Sequence, residues 1–167
     1  VTMTFCKANT AYLLVFVALV FTSCNQKKDV SNGHIPLEVA IGLQKTMCYG
    51  SCPSFNFSVL NDGQATLTVG RFAEKAFGRH LDEGKYTGTI ANHEISKITA
   101  FAEKSGYLKL EDRYDNPMIM DIPAAISTIN GKTVYNRHEG PNLKDLYSRI
   151  ENLISTVDWV EKPDTEK

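Results

Sequence analysis

What this sequence lacks narrows its function more than any single motif does. It has no surplus of charge: 18 lysines and arginines meet 19 aspartates and glutamates, for a formal net charge of -1. Without a basic field to gather phosphates, nucleic-acid binding is excluded as the main activity. No internal repeat is present, and neither is the strained Gly-x-Ser-x-Gly turn that presents a hydrolase nucleophile. None of the four histidines, His34, His80, His93 and His138, stands at metal-ligand spacing to another. These gaps point away from catalysis, and no cofactor is expected.

The one long apolar run is too short to span a bilayer. Ala11 to Phe21 is almost unbroken, yet as a helix it would measure roughly 16 Å, about half the hydrocarbon thickness. Lys7 precedes it and Thr22-Ser23-Cys24 follows, the layout of a secretory signal peptide over residues 1–23. Phe21-Thr22-Ser23-Cys24 resembles the lipobox of bacterial lipoproteins, in which the cysteine is acylated and heads the mature chain, although Phe21 stands where leucine is commonest. That resemblance implies lipidation of Cys24, by palmitate or a similar acyl group, and a membrane as partner. Residues 24–35, from Cys24 through Asn25, Lys27, Lys28 and Asp29 to Gly33, are too polar to bury and read as a flexible tether. The expected address is the cell envelope, on the periplasmic face or the outer membrane.

From Pro36 onward the pattern becomes periodic. Leu37, Val39 and Ile41 alternate with Glu38, Ala40 and Gly42, as in a strand with one buried face. Phe55, Phe57 and Val59 repeat the alternation, Asn61-Asp62-Gly63 supplies a turn tolerant of positive φ, and Ala65 to Gly70 returns as the partner strand. A fourth strand opens at Glu83-Gly84. Asn92 is placed to cap a helix whose stripe is Ile95, Ile98, Phe101 and Ala102 and whose stop is Gly106. Residues 124–136 read as a hairpin around Asn130-Gly131. Pro141, in the first turn, with Leu143, Leu146, Tyr147, Ile150, Leu153 and Ile154, predicts a second amphipathic helix. The sum is one α+β domain over residues 36–160, in the order β-β-β-β-α-β-β-α, with an antiparallel sheet and two amphipathic helices packed on one face. The charged residues 161–167 read as a frayed tail.

The densest motif is Cys48-Tyr49-Gly50-Ser51-Cys52-Pro53. With Cys6 in the removed segment and Cys24 lipidated, Cys48 and Cys52 remain as an even pair facing an oxidising compartment. Gly50 is expected to take the backbone angles that bring the two Cα atoms within about 7 Å, and a structural disulfide is the leading reading. Two alternatives stay open. Thiol-disulfide exchange wants an activated thiolate, usually from a Cys-x-x-Cys pair at a helix N-terminus, whereas this spacing is one residue longer and lies between strands. Copper suits soft thiolates, and Cys-x-x-x-Cys-Pro resembles the copper-binding segment of thioredoxin-fold copper-delivery proteins; Cys48 and Cys52 would then be the metal ligands. The β-rich order ahead of the first helix does not match that fold.

Together, Cys48-Tyr49-Gly50-Ser51-Cys52-Pro53-Ser54-Phe55, Asp62-Gly63, Asp121-Ile122-Pro123 and Gly131-Lys132 with the later Pro141 resemble an uncharacterised family of bacterial secreted and lipid-anchored proteins. That family is a domain of unknown function with a Cys-Tyr-Gly-x-Cys-Pro-x-aromatic signature. The likeness covers roughly Leu37 to Ile154 and implies no activity. Ala124-Ala125 depart from it, standing where small hydroxyl residues are expected. Two further clusters read as surface. Glu111, Asp112, Asp115 and Asp121 fit no calcium-loop or acid-base template and are expected to be solvated. Arg71, Lys75, Arg79, His80 and Lys85, with Phe72 and Phe77 interleaved, read as a long exposed hairpin loop, the alternative being a contact surface for an anionic partner. The expected function is a non-enzymatic, lipid-anchored envelope protein that binds an envelope protein or ligand of unstated specificity.

Overall fold

Alternating apolar residues become strands with one buried face. In the computed structural model, which describes residues 36–163, β1 (Val39–Lys45), β2 (Phe55–Leu60) and β3 (Gln64–Val69) form an antiparallel meander. Ile41 faces Val59, Leu43 faces Phe57, and Phe57 faces Leu67. β4 (Gly84–Thr89) extends the meander with Tyr86 opposite Leu67. The remaining strands are β5 (Arg113–Tyr114), β6 (Ala125–Ile129), β7 (Lys132–Asn136) and β8 (Val160–Glu161). All eight make one sheet in the order β5-β7-β6-β1-β2-β3-β4-β8. Every pairing is antiparallel except that of β5 with β7. The expected signal peptide, Cys24, the tether, Cys6 and His34 lie outside the described residues.

Two long helices bury their stripes in the core formed by the apolar face of this sheet. α1 (Glu74–Phe77) is a single turn; α2 (Asn92–Lys104) buries Ile95, Ile98 and Ala102, and α3 (Lys144–Thr156) buries Leu146, Ile150, Leu153 and Ile154. Those residues share one cluster with Ile41, Leu43, Phe57, Leu67, Ile129 and Val134, and Phe101 packs against it half-buried. Near-complete removal of side chains such as Ile150 and Ile154 from water is worth about 1.5–3 kcal/mol each, which is what holds helices of this length in place.

The α+β class and the mostly antiparallel sheet are as expected, but the order is corrected to β-β-β-α-β-α-β-β-β-α-β. Both added strands are two residues long, too short to show a period, and α1 is a single turn inside the segment expected to be loop. Two helix starts also move. Ala91, not Asn92, occupies the cap position of α2, with no side-chain bond. Pro141 precedes α3 rather than opening it: Leu143 sits at the cap position, and Asn142 Oδ1 accepts from the Lys144 N–H at 3.1 Å. Glu161, expected in the tail, is paired with Tyr86 as part of β8.

The opposite face of the sheet is mostly a field of uncharged polar side chains, with Lys85 among them. Asn56, Thr66, Thr68, Thr87, Thr89 and Thr133 are exposed there. Cross-strand hydroxyl pairs tie it together, Ser58 to Thr66 and Thr128 to Thr133, each at 2.9 Å.

The sheet has two unlike ends. At one, β2 and β3 reverse through Asn61-Asp62-Gly63, and β6 and β7 through Asn130-Gly131, the latter with φ of 47° and 78°. At the other lie the long connections 46–54, 70–83, 115–124 and 137–143. The strand register brings Lys45, Ala125 and Asn136 side by side at that second end.

Candidate functional site

Lys45, on the third strand position after Ile41 and Leu43 with the same facing, carries a charge on what is otherwise the apolar face of β1. It needs a counter-charge there, and Glu151 on α3 supplies it as an ion pair. Both side chains are largely withdrawn from water, 25% and 12% exposed. Glu151 Oε1 is fully enclosed and, apart from the Lys45 ammonium, has no hydrogen-bond partner among the described residues. A carboxylate in that state retains unused acceptor capacity.

Asn136, at the same level two strands away, is held by its own amide. Its Nδ2 donates to Pro141 O at 2.9 Å and to Tyr147 Oη at 3.4 Å. Gly140 passes so close that a Cβ there would lie 2.8 Å from both Asn136 Cγ and Tyr114 Cβ, so only glycine fits. Burial pushes the Tyr147 phenol above its ordinary pKa, against hydrogen bonds with Asn136 and Ser127. Ser127 in turn meets Tyr107, whose hydroxyl donates to Ser127 O at 2.7 Å and shares a 2.9 Å bond with Ser127 Oγ. Burial drives the Tyr107 pKa to about 12. A polar thread therefore runs from Asn136 through Tyr147 and Ser127 to Tyr107 beneath the sheet.

Two hollows meet at Lys45 and Asn136. One, about 320 Å³, is bordered by Lys144, Tyr147, Ser148 and Glu151. The other, about 270 Å³, is bordered by Cys52, Pro53, Pro123, Ala124 and Ala125. The first is ionic and hydroxylic; the second, beyond the shared Lys45 and Asn136, is lined mainly by apolar side chains. A larger depression of about 810 Å³ lies along Thr66, Thr87, Thr89 and Val160, and its lining ionisable groups are Glu94 and Asp158. Glu94 is already taken by Lys97 and His93, at 2.7 and 2.8 Å. Asp158 is exposed at the rim of this depression, but charges of both signs meet in the hollow at Lys45.

The cysteine motif forms a wall of the apolar hollow. Cys48 and Cys52 are joined as a disulfide with Cα atoms 5.7 Å apart. The expected device is different from the observed one: Gly50 has no positive φ, and a Cβ there would touch only Cys48 Sγ at 3.7 Å. A direct bond from Gly50 N to Cys48 O, 2.8 Å, folds the loop instead. Its tip, Tyr49, is fully exposed. Thr46 fastens the base: Ala124 N donates to its Oγ1 at 2.8 Å, and Thr46 N donates to Ala124 O at 3.0 Å. Bonded to each other, the two sulfurs offer no thiolate to copper or to an incoming disulfide. His80, His93 and His138 stand beside Asp82, Glu94 and Glu139 respectively, and among the described residues no group of three or more His, Cys, Asp or Glu is placed to hold a metal.

The acidic and basic stretches are more structured than expected. Asp115 is a clamp: Arg137 Nε reaches it at 2.5 Å and Arg113 at 2.6 Å, while Arg137 also donates to the carbonyls of Asn116 and Ile119. Desolvation opposes its ionisation, but the bonds from Arg137 and Arg113 outweigh it and hold the carboxyl below the usual range. Asp112 pairs with Lys132. In the basic stretch Phe77 is buried edge-on to Phe55 at 5.6 Å, and Arg71 and Lys75 lie over the Phe72 ring. Arg79 donates to Val157 O at 2.6 Å. The stretch is thus anchored to the core, not a free loop.

Sequence reasoning missed Lys45, Asn136, Tyr147 and Glu151. The available signal was Lys45 itself, a charge in phase with Ile41 and Leu43. Three of the motif segments, by contrast, do converge: Cys52-Pro53, Pro123 and Pro141 border the two hollows, while Asp62-Gly63 and Gly131-Lys132 lie at the opposite end of the sheet.

The chain belongs to the DUF6438 family. Its match to this domain of unknown function runs over residues 39–154, from β1 to near the end of α3. Both hollows are built from residues inside the DUF6438 region. Comparison with curated proteins and with solved structures gave no match.

Proposed function

We propose that this DUF6438 domain is a non-enzymatic binding module, carried by a lipid-anchored protein of the cell envelope, and that its ligand site is the pair of hollows at the disulfide end of the sheet. The observation that carries this reading is the meeting of an ionic and an apolar hollow at Lys45 and Asn136, walled by three separate motif segments. Concave sites with a few convergent polar groups and an apolar lining are the usual form of small-ligand sites. Lys45 and Glu151 neutralise each other rather than flanking a nucleophile, which favours binding over catalysis. The lipobox-like Phe21-Thr22-Ser23-Cys24 supports the anchor.

Amide shifts of the labelled protein against a fragment library test the site. Perturbations gathered around Lys45, Ala125, Asn136 and Tyr147 are expected; hits that gather only on the open face of the sheet overturn it. For the anchor, metabolic labelling with a fatty acid should mark the protein and Cys24→Ala should release it from membranes. An unlabelled wild type refutes that part alone.

A further inference from the structure

The ionic hollow presents charges of both signs within one small space. Lys45 has three donor protons, of which Glu151 occupies one direction; Glu151 Oε1 is enclosed and committed to that ammonium, so a ligand meets the remainder of the carboxylate, which borders the hollow. Lys144, on the first turn of α3, lines the same space, and its ammonium has no partner among the described residues. The N-terminal end of α3 adds a partial positive charge near it, so the hollow favours a carboxylate beside Lys45 and Lys144 and a cationic donor beside Glu151. Immediately across Lys45 and Asn136, the second hollow offers Pro53, Pro123, Ala125 and the Cys52 sulfur, surfaces that reward apolar contact. At about 320 and 270 Å³ the two are the size of small fragments, not of a nucleotide or a cofactor.

We propose that the two adjoining hollows together bind a small α-amino acid with an apolar side chain: carboxylate on Lys45 and Lys144, ammonium on Glu151, side chain against Pro53, Pro123 and Ala125. The inference rests on the binding-module reading above and names the ligand class for it. A zwitterion meets both free valences of the ion pair without leaving a buried charge unmatched, which a simple acid or amine does not do. Asn136 contributes shape more than recognition, because its amide is committed to Pro141 and Tyr147.

Titration of the full protein with L-leucine, leucinamide and N-acetyl-leucine, followed by amide shifts and calorimetry, decides it. Leucine should bind, with shifts centred on Lys45, Tyr147 and Ala125. Leucinamide, which lacks the carboxylate, and N-acetyl-leucine, which lacks the ammonium and imitates a peptide C-terminus, should each bind about tenfold or more weakly. Lys144→Gln, an exposed change that leaves the core alone, should weaken leucine several-fold and leave leucinamide unaffected. Glu151→Gln, whose fold is checked by its spectrum, should erase the preference of leucine over N-acetyl-leucine. N-acetyl-leucine binding as tightly as leucine overturns the proposal, as does silence towards leucine at millimolar concentration. In the latter case, fragments that still map to the hollows show that only the ligand class was wrong; their absence removes the site as well.

Discussion

The two ends of this sheet solve the same problem, returning the chain, by different physics. At the turn end the reversals are local. Gly63 N donates to Leu60 O at 3.0 Å, and Asp62 Oδ1 takes the Gln64 N–H at 2.9 Å, all within a few residues. At the loop end local restraints, such as Gly50 N to Cys48 O and the Cys48–Cys52 disulfide, are joined by others between segments far apart in sequence: Thr46 to Ala124, Ser54 to Arg71, Asp115 to Arg137, Lys45 to Glu151. The two hollows at Lys45 and Asn136 lie at this end, enclosed by long connections tied by side chains, whereas the depression of about 810 Å³ borders the turn end at Leu60, Gln64 and Ile90.

The largest perturbation should spare neither end. Leu146, buried on the α3 stripe, serves the common core, so Leu146→Ala should lower stability by about 2–5 kcal/mol and speed hydrogen exchange equally at both ends. Exchange that rises at one end only would mean the ends unfold separately. Next comes the thread beneath the loop end. The Tyr107 pKa is raised by burial to about 12, so its stabilising contribution is complete below pH about 10 and is lost as pH climbs through about 12, on the order of 2–3 kcal/mol in all. Urea melts from pH 9 to 12 should show that fall in wild type, and a flatter curve in Tyr107→Phe.

A third change separates the ends. Replacing Cys48 and Cys52 together by alanine should remove about 2 kcal/mol, the closure entropy of so short a loop, with exchange rising around residues 46–54 and not at Asn130-Gly131. Reduction of wild type should imitate it. The smallest effect is the sharpest contrast, because it uses one substitution at both ends. Gly63 has φ of 90°, and a Cβ there would stand 2.5 Å from Ile90 O, so Gly63→Ala should cost about 1–2 kcal/mol. Gly50→Ala, with room around it, should be neutral or slightly stabilising. Equal losses at the two glycines would dissolve the distinction.

Legibility in the sequence follows the same division. Ile95, Ile98, Leu146 and Ile150 were readable because a helical period repeats, and the turn residues because their chemistry acts within four positions. The disulfide was readable by parity, since the other cysteines had separate expected fates. Beyond that, period fails: β5 and β8 have two residues each, and α1 has four. The cap residues slipped because Ala91 and Leu143 occupy those positions through backbone geometry alone. Asp115 looked like one of several solvated acids, and only the fold shows that Arg137 and Arg113 converge on it. Lys45 and Glu151 illustrate the limit most plainly, as each is unremarkable until β1 and α3 are packed together.

The two-residue strands have a bearing on colloidal behaviour. A long bare strand at the margin of a sheet invites the next molecule to add to it, and such addition continues without end. Here the β5 margin is brief and is topped by Arg113, whose guanidinium lies 4.1 Å over the Tyr135 ring. The β8 margin is equally brief, carries Glu161, and runs at once into Lys162 and Pro163, the latter with no N–H to offer. An incoming strand therefore meets only two residues of each marginal strand, each carrying a charge, which disfavours the edge-to-edge addition of crowded copies.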